Sequence, residues 1–463
     1  MSTHNNYNAL ENTPSAVSIH QQNGVGAHKV YKRRWLMLTV VCLLNIVNAA
    51  QWIQYAPIAD TVKRYYDVSS TWVNMLSQIF MILYIPFGFM ASWALDTRGL
   101  RYACVLGAVL NAVGAFIKYM ANFVEITPSA DPNIMFAVVM VGQFFAAAAQ
   151  PFILGAPTML AAVWFSDSER ATANMLASVA NPIGIAAANV LSPAIVDTTE
   201  PWTINTMHWM MMIPAGIVAV ITIVLMRAKP PTPPSLSAAT PSDPFFVGLK
   251  KVATNKSYLL LLVSFGVGLG IFNALSTLLE QIVHPQGYTD DDAGIFGAAL
   301  IGAGLVGAGI SGPLIDKTKA YRPVLRGCFI LATASFVGFA LSARPDEYVL
   351  VAVTCGLIGF FCFPLLPTCL ELAVEVTYPV SEGTSASFMW MAGQALGVVF
   401  IFIMDAMRTG AEEDMTNALW FAVGVVGATL IPVFLFKGEY RRLNMERETK
   451  ANASSGLNGD LHI

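Results

Sequence analysis

The chain contains few charged residues. Asp, Glu, Lys and Arg make up 12% of its 463 residues, whereas hydrophobic residues make up 55%. A soluble protein of this length has a more charged surface, and the helices on that surface are amphipathic. The shortage of charge therefore argues against a soluble protein and predicts an all-α membrane protein.

The sequence also lacks several motifs, and their absence excludes some classes of protein. Residues 1–30 lack the apolar core and small-residue cleavage site of a signal peptide, so the first apolar segment is predicted to be an uncleaved anchor. All six cysteines fall in apolar segments, where no disulfide framework is expected. The string GAGLVG at 302–307 matches the G-x-G-x-x-G pattern of nucleotide-binding loops. It follows no predicted strand, so we expect no nucleotide site there. With no metal-ligand or nucleophile–base pattern, we expect neither an enzyme, a cofactor, a metal site nor a nucleic-acid partner.

Apolar segments long enough to cross the ~30 Å hydrocarbon layer of a membrane recur along the chain. Twelve are predicted as transmembrane helices: 34–58, 73–95, 102–121, 134–163, 172–196, 206–226, 257–283, 293–315, 322–342, 347–374, 384–408 and 415–437. With the N-terminus placed inside, the predicted cytosolic segments hold 21 of the 26 Lys and Arg residues. Because basic residues resist translocation, both termini are predicted to be cytosolic.

A proline-rich segment, KPPTPPSLSAATPSDP at 229–244, divides the spans into two groups of six. The predicted organisation is a disordered cytosolic N-terminal tail (1–33), an N-terminal six-helix half (34–226), a cytosolic linker (227–256), a C-terminal six-helix half (257–437) and a cytosolic tail (438–463). The halves share a local repeat, because ALDTRGLR at 94–101 follows the second span and LIDKTKAYR at 314–322 follows the eighth.

Six plus six spans with such loops resemble the major facilitator superfamily, whose fold consists of two six-helix halves. In that superfamily the loop motif acts as a cytosolic latch. The resemblance implies a latch role for Asp96, Arg98 and Arg101 in the first copy and for Asp316 in the second. A carboxylate near helix N-termini and Arg can make charge-assisted contacts that differ between two states. The alternative is a basic loop that only sets the topology.

Polar side chains inside apolar helices usually face a bundle interior or a wet cavity. Such residues share one face of the helical wheel in spans one and seven, and spans four and eleven add a glutamine each. They are Asn48, Gln51, Trp52, Tyr55, Asn273, Thr277, Gln143 and Gln394, and the face of span seven also carries Glu280. Spans one, four, seven and ten surround the cavity of major facilitators, so the set predicts a substrate site. Each single amide is equally well explained by hydrogen bonding between helices.

The tryptophan in this set indicates the class of ligand. A ring flanked by amides suits a small cation, because the indole quadrupole attracts it without a buried counter-charge. A flat apolar ligand could stack on the same ring.

Three glutamates near span ends are candidate coupling or gating groups. Glu280 lies toward the outer end of span seven. It is a protonatable coupling group, a group that attracts cations to the cavity entrance, or an interfacial residue. Glu371 and Glu375 lie one helical turn apart near the cytosolic end of span ten. Two carboxylates this close in a low dielectric hold one proton or need a basic partner.

Five segments together resemble the feline leukaemia virus subgroup C receptor-related family of solute carriers. They are QWIQYAPIAD at 51–60, ALDTRGLR at 94–101, FILGAPTMLAAVWF at 152–165, ALSTLLEQ at 274–281 and ELAVEVTYPVSEGTSA at 371–386. The resemblance implies transport of choline and ethanolamine, or of haem. It also places the tryptophan and a glutamine of the family's choline site on Trp52 and Gln394.

The chain departs from that choline site at two positions. Asn273 replaces an aromatic residue, and Pro182 replaces a glutamine. The strings VANPIG at 179–184 and LLEQ at 278–281 are more similar to the branch called major facilitator domain-containing protein 7.

The sequence therefore predicts a monomeric multi-pass carrier that moves a small organic solute across the lipid bilayer by alternating access of its halves. The favoured solute is an organic cation of the choline or ethanolamine type, and the resemblance implies the plasma membrane. One alternative is a haem or porphyrin transporter. His208 and His284 could then ligate iron, although surface histidines are commoner. Another alternative is a receptor or sensor that binds its ligand without moving it.

Overall fold

The computed structural model describes residues 29–124, 132–166, 169–197, 199–234, 245–318, 320–410, 414–445 and 448. Within these ranges, 12 helices are long and apolar enough to cross a membrane. They are α1 (Arg33–Tyr66), α2 (Ser70–Thr97), α3 (Leu100–Phe123), α4 (Pro132–Trp164), α5 (Thr172–Ile195), α6 (Ile204–Leu225), α7 (Lys256–Gln286), α8 (Asp290–Ile315), α9 (Tyr321–Ser342), α10 (Tyr348–Thr377), α11 (Glu382–Ala406) and α12 (Thr416–Leu435). The predicted fold class of twelve transmembrane helices is confirmed.

The outer surface of the bundle is apolar. Helix α6, for example, exposes Ile217, Val220 and Val224 by more than half of their surface. Helices satisfy their own backbone hydrogen bonds, so they can present such side chains to lipid without exposing polar groups. This surface is suited to a hydrocarbon environment.

The two halves of the bundle meet along two helix pairs. In the first half α3 packs on α4 and α1 on α5, and in the second α7 packs on α11 and α8 on α10. The halves contact each other where α2 meets α11 and α5 meets α8. A Cβ atom at Gly307 would lie 2.1 Å from the carbonyl oxygen of Phe360, so α8 can approach α10 this closely only with glycine there. The GAGLVG string therefore serves helix packing.

Three of the helices that surround the space between the halves are broken. Helix α1 is interrupted after Ile53, and the short turn Ala56–Ile58 lies in the break. In α4 the helix Pro132–Leu154 is followed by Ala156–Trp164, and in α10 Tyr348–Cys362 is followed by Leu365–Thr377. Proline at or near each break removes a backbone donor and distorts the helix. Broken helices at membrane depth are tolerated where they border a cavity.

Both ends of the described chain lie at one end of the bundle, which we call the basic end. It carries Arg34, Arg170 and Arg442. The opposite end carries Asp60 and Arg408. Parts of the predicted tails and linker, 1–28, 235–244 and 449–463, fall outside the described residues. The described end of the linker is helical over Phe245–Thr254.

Candidate functional site

A central cavity lies between the two halves. The empty space within it, including space open to solvent, amounts to about 890 Å³. Its polar lining consists of Gln150, Asn181, Asn273 and Gln394. Its aromatic lining consists of Trp52, Phe265, Phe272, Phe329, Phe336, Phe363 and Trp390. Among the described residues that border this cavity, none is charged.

Three of the predicted substrate residues border the cavity. The indole nitrogen Nε1 of Trp52 donates to the carbonyl oxygen of Ser77 at 3.2 Å, which fixes the ring against α2. Asn273 in α7 donates from Nδ2 to Oε1 of Gln394 in α11 at 3.1 Å. This hydrogen bond joins α7 to α11 in the wall of the cavity.

The other predicted residues of α1 lie in a buried polar network inside the first half. Asn48 donates from Nδ2 to Oδ1 of Asn111 at 2.8 Å and to the carbonyl oxygen of Ala146 at 3.0 Å. Gln51 donates from Nε2 to the carbonyl oxygen of Asn111 at 3.4 Å. Neither residue borders the central cavity. The geometry gives Asn48 and Gln51 a role in joining α1 to α3 and α4.

Gln143 lies at the centre of the same network. Its Nε2 donates to the carbonyl oxygens of Gln51 and Leu76 at 3.2 and 3.0 Å. Its Oε1 accepts a hydrogen bond from Nζ of Lys118 at 2.9 Å. Lys118 is 1% exposed inside the bundle. Gln143 therefore provides the polar contact of a buried amine.

We expect Gln143→Leu to lower the thermal unfolding midpoint of the purified protein. The substitution leaves Lys118 and two carbonyl oxygens without their amide partner, and each buried unsatisfied group costs about 1–3 kcal/mol. The double variant Lys118→Met, Gln143→Leu should recover part of the loss. An unchanged midpoint together with lost ligand binding would instead place Gln143 in contact with substrate.

Tyr55 and His208 also face each other in this interior. The Tyr55 hydroxyl lies 2.9 Å from Nε2 of His208, and Nδ1 of His208 lies 2.9 Å from Oδ1 of Asn122. His208 is 1% exposed, so the expectation of a surface histidine is wrong for this residue. The hydrogen bonds occupy both ring nitrogens, which leaves neither free to ligate haem iron in this arrangement.

A second, polar cavity opens at the opposite end, between α1, α2, α7 and the segment that follows α11. It is bordered by Asp60, Lys63, Glu280, Gln281, His284 and Arg408, among others. Glu280 is 5% exposed, and the predicted substrate residue Thr277, one turn before it, is 1% exposed. Glu280 therefore holds a carboxylate at the border between the protein interior and this polar space.

Polar contacts join the two halves beside this second cavity. Gln281 of α7 donates from Nε2 to Oδ1 of Asn74 of α2 at 2.6 Å. Arg408 hydrogen-bonds Gln281 and forms an ion pair with Asp405 at 2.5 Å. The opposite end is thus closed by a chain of polar groups that crosses from one half to the other.

At the basic end, the halves are joined through Asp96. Its two carboxylate oxygens accept hydrogen bonds from the hydroxyls of Ser381 and Thr384, at 2.9 and 2.8 Å. Ser381 and Thr384 begin α11, where the positive end of the helix dipole favours an anion. The predicted latch carboxylate therefore contacts the other half of the molecule.

Arg98 and Arg101 of the predicted latch make contacts within the first half. The guanidinium of Arg98 lies 6.0 Å from the ring centroids of Trp93 and Tyr102. Arg101 donates to the carbonyl oxygen of Ile223 at 3.5 Å. Asp316 lies in the last turns of the helix Asp290–Thr318.

The basic partner of Glu371 and Glu375 is Arg442. Its guanidinium contacts Glu371, Glu375 and Glu382 at 2.8, 3.0 and 3.2 Å. Burial lowers the pKa of Arg442, but the three carboxylates raise it, and the resulting pKa is well above its usual value. Glu382 also lies 3.9 Å from Arg170 of the first half. The C-terminal segment thus supplies a permanent positive charge to a cluster that borders both halves.

Sequence reasoning did not select Arg442, Gln150 or Asn181 as site residues. Gln150 and Asn181 border the central cavity, and Oε1 of Gln150 and Nδ2 of Asn181 have no hydrogen-bond partner within the described part of the chain. Each immediately precedes a proline inside a helix, Pro151 and Pro182. An amide before an intrahelical proline is a signal that could have drawn attention to both.

Comparison with known proteins agrees with this architecture. Residues 41–402 match the Major Facilitator Superfamily. The chain is 41% identical over 436 residues to solute carrier family 49 member A3 of Xenopus tropicalis, covering 90% of each chain. It is 32% identical over 448 residues to the choline/ethanolamine transporter flvcr2a of Danio rerio, covering 94% of this chain and 93% of the relative.

Solved structures show the same fold. The major facilitator transporter FucP in the outward conformation matches with a TM-score of 0.65 and 15% identity, covering 88% of this chain and all of that one (100%). The protein is therefore a multi-pass membrane transporter that belongs to the major facilitator superfamily and, within it, to the family of solute carriers and choline/ethanolamine transporters that it resembles in sequence.

Proposed function

We propose that this transporter moves a small organic cation of the choline type. The observation that supports the proposal is the central cavity, in which Trp52 and further aromatic rings surround a space without charged residues among those described. A quaternary ammonium is weakly hydrated and binds to aromatic faces without a buried counter-charge. A relative that is 32% identical is named a choline/ethanolamine transporter, which favours the same class of solute.

The cavity supports choline better than haem. Among the described residues that border it, no histidine is present, and the cysteines are Cys362 and Cys369. His208 uses both ring nitrogens in hydrogen bonds, and His284 borders the second cavity. Haem therefore finds no histidine ligand in the central cavity.

The proposed mechanism is alternating access by a monomer, in which the N-terminal half (34–226) and the C-terminal half (257–437) rock about the central cavity. Asp96 and the cluster of Glu371, Glu375 and Arg442 would hold the basic end closed, and Gln281 with its partners would hold the opposite end closed. We place the basic end and both termini in the cytosol and the protein in the plasma membrane. Assignment to the branch called major facilitator domain-containing protein 7 stays a prediction.

Uptake of labelled choline tests the proposed function. Cells that lack their own choline carriers should take up choline faster when they express the protein than when they carry the empty vector, and unlabelled choline should compete. Labelled haem serves as the alternative solute. If the protein is present in the membrane and choline uptake does not exceed the vector control, choline transport is excluded. Choline binding to purified protein without exchange in proteoliposomes would identify a sensor.

We also propose that Glu280 couples transport to protons, since a carboxylate at the edge of the interior can exchange protons with the second cavity. Acidifying the outside should then stimulate uptake severalfold, and Glu280→Gln should abolish the stimulation. The other charged or titratable groups that border this cavity are Asp60, Lys63, His284 and Arg408. Histidines generally titrate near neutral pH, so His284→Gln is the matched control and should retain the stimulation. Equal pH dependence in wild type and Glu280→Gln would contradict a coupling role.

A further inference from the structure

A short amphipathic helix precedes α7 at the basic end. This helix, Phe245–Thr254, which we call the linker helix, is separated from α7 by one residue. Its exposed residues include Phe246, Val247, Lys250 and Lys251, which lie within about 140° of one another at about 100° per residue. Phe246 is 77% exposed, the largest fraction among the exposed large hydrophobic residues described, and Val247 is 47% exposed. One face of the linker helix therefore presents apolar and basic side chains together.

The other face of the linker helix packs on the protein. Val252 is 3% exposed and belongs to the same buried apolar cluster as Val380, the residue before the loop that begins α11. A Cβ atom at Gly248 would lie 3.0 Å from Cγ1 of Val380, so the linker helix approaches this residue closely. Asn255, between the linker helix and α7, donates from Nδ2 to the carbonyl oxygen of Val376 of α10 at 2.8 Å. These contacts fix the orientation of the linker helix and leave its basic and apolar face exposed.

The linker helix lies at the level where the transmembrane helices end. Val380, which it contacts, immediately precedes Ser381, and the Ser381 hydroxyl donates to Asp96 at 2.9 Å. Asp96 is the last residue but one of α2. On the same helix Trp93 is 44% exposed, and the guanidinium of Arg98 lies 6.0 Å from its ring centroid. An exposed tryptophan beside a basic residue at a helix end is typical of a membrane–water interface. The linker helix is therefore placed at the level of the lipid headgroups.

The chemistry of the exposed face matches an anionic lipid surface. Phenylalanine and valine side chains are favourable at the boundary between headgroups and acyl chains. Each lysine near an anionic membrane surface strengthens the attraction by about fivefold, and Lys256, exposed at the start of α7, adds a third lysine to this region. The long lysine side chains can lie along apolar surface while their ammonium groups reach the phosphates. A water-soluble partner would have to reach this face at the level of the headgroups, which favours lipid as its occupant.

We propose that the linker helix is an interfacial membrane helix that binds anionic phospholipids of the leaflet at the basic end. Phe246 and Val247 enter the boundary between headgroups and acyl chains, and Lys250, Lys251 and Lys256 bind phosphate groups. Because the linker helix is fixed to α10 and to the start of α11, beside the contact of Asp96, bound lipid should stabilise the closed basic end. None of these five lipid-binding residues borders the central cavity, so their role is independent of the transported solute.

Lipid binding to the purified full-length protein tests the proposal. Native mass spectrometry in detergent gives the affinities for phosphatidylglycerol and phosphatidylcholine, and we expect phosphatidylglycerol to bind at least tenfold more tightly. The triple variant Lys250→Gln, Lys251→Gln, Lys256→Gln should reduce this ratio at least fivefold, because it removes the charges that attract the anionic headgroup. Arginine at the same three positions keeps the charge and should keep the ratio. Inorganic phosphate at the same concentration should not compete, because it has no acyl chain to contact Phe246 and Val247.

A matched control and a depth measurement complete the test. Lys32, Arg33 and Arg441 are exposed at the same end outside the linker helix, so their triple replacement by glutamine removes equal charge and should leave the ratio within about twofold of wild type. In vesicles of phosphatidylcholine and phosphatidylglycerol, a spin label at Phe246→Cys should be relaxed more by oxygen, which concentrates in the bilayer, than by a water-soluble nickel chelate. A label at Arg441→Cys should show the opposite preference. The spectrum of unsubstituted protein corrects for the native cysteines.

Three results would overturn the proposal. If the glutamine variant of the linker helix keeps the preference for phosphatidylglycerol, or if the control variant loses it equally, the lysines of the linker helix do not select the lipid. If the label at position 246 meets the nickel chelate as readily as the label at position 441, the exposed face lies in water. Dimers in the mass spectrum that Phe246→Asn abolishes would assign this face to a second copy of the chain instead.

Discussion

Replacing Arg442 with leucine should lower the free energy of unfolding by about 3–5 kcal/mol, because the substitution leaves buried carboxylates without their cation. The side chains of Arg442, Glu371 and Glu375 are 11%, 14% and 4% exposed. Charges this far from solvent interact strongly and are little screened by salt. The measurement is the thermal unfolding midpoint in detergent, which should fall at both low and high salt.

The neighbouring residue provides a matched control for Arg442. Arg441 is exposed at the same end of the protein, so Arg441→Leu should change stability by less than about 0.5 kcal/mol. Combining Arg442→Leu with Glu371→Gln and Glu375→Gln should recover stability, since the uncompensated charges are then removed. If Arg442→Leu is no more damaging than Arg441→Leu, the ion pairs contribute nothing and the cluster does not hold the C-terminal segment.

The Arg442→Leu substitution should also weaken the closure of the basic end. Glu382, a partner of Arg442, lies between Ser381 and Thr384, the two residues that hold Asp96 of the other half. Without Arg442 the start of α11 loses an anchor, so the contact between the halves should weaken. Cysteine-reactive probes applied from the side of the basic end should then label Cys369 in the central cavity faster than in wild type.

The fold could be predicted from the sequence because its signals are local. Each span is a continuous apolar segment of sufficient length, and the loops around Asp96 and Asp316 repeat at equivalent positions in the two halves. Neither signal requires knowledge of which helix contacts which. The repeat also supports the predicted division of the spans into six and six helices.

The site could be predicted only in part, because a helical wheel shows which residues share a face but not what the face meets. Asn48, Gln51 and Trp52 share a face of α1, yet only Trp52 borders the central cavity. The two amides bond to α3 and α4 instead, since a helix inside a bundle has polar neighbours on several sides. Arg442 lies 67 residues from Glu375 and outside every apolar segment, so no local pattern connects them.

Replacing Trp52 with leucine should reduce choline uptake at least tenfold. A cation held against an indole face gains about 2 kcal/mol or more when it is desolvated, and leucine retains a smaller apolar side chain but has no ring to attract the cation. Leucine is preferred to alanine because truncating a buried aromatic side chain to alanine costs about 3–5 kcal/mol of stability and would confound the measurement. Trp52 is 4% exposed, so this distinction matters here.

Two further variants show whether the ring itself binds the substrate. Trp52→Phe retains an aromatic face but loses the hydrogen bond from Nε1 to Ser77, so its uptake should lie between those of wild type and Trp52→Leu. Trp72, 55% exposed on α2 of the same half, is the control, and Trp72→Leu should transport normally. Wild-type uptake by correctly folded Trp52→Leu would remove Trp52 from the substrate site. Graded loss from tryptophan to phenylalanine to leucine would support a contact between the aromatic ring and the cation.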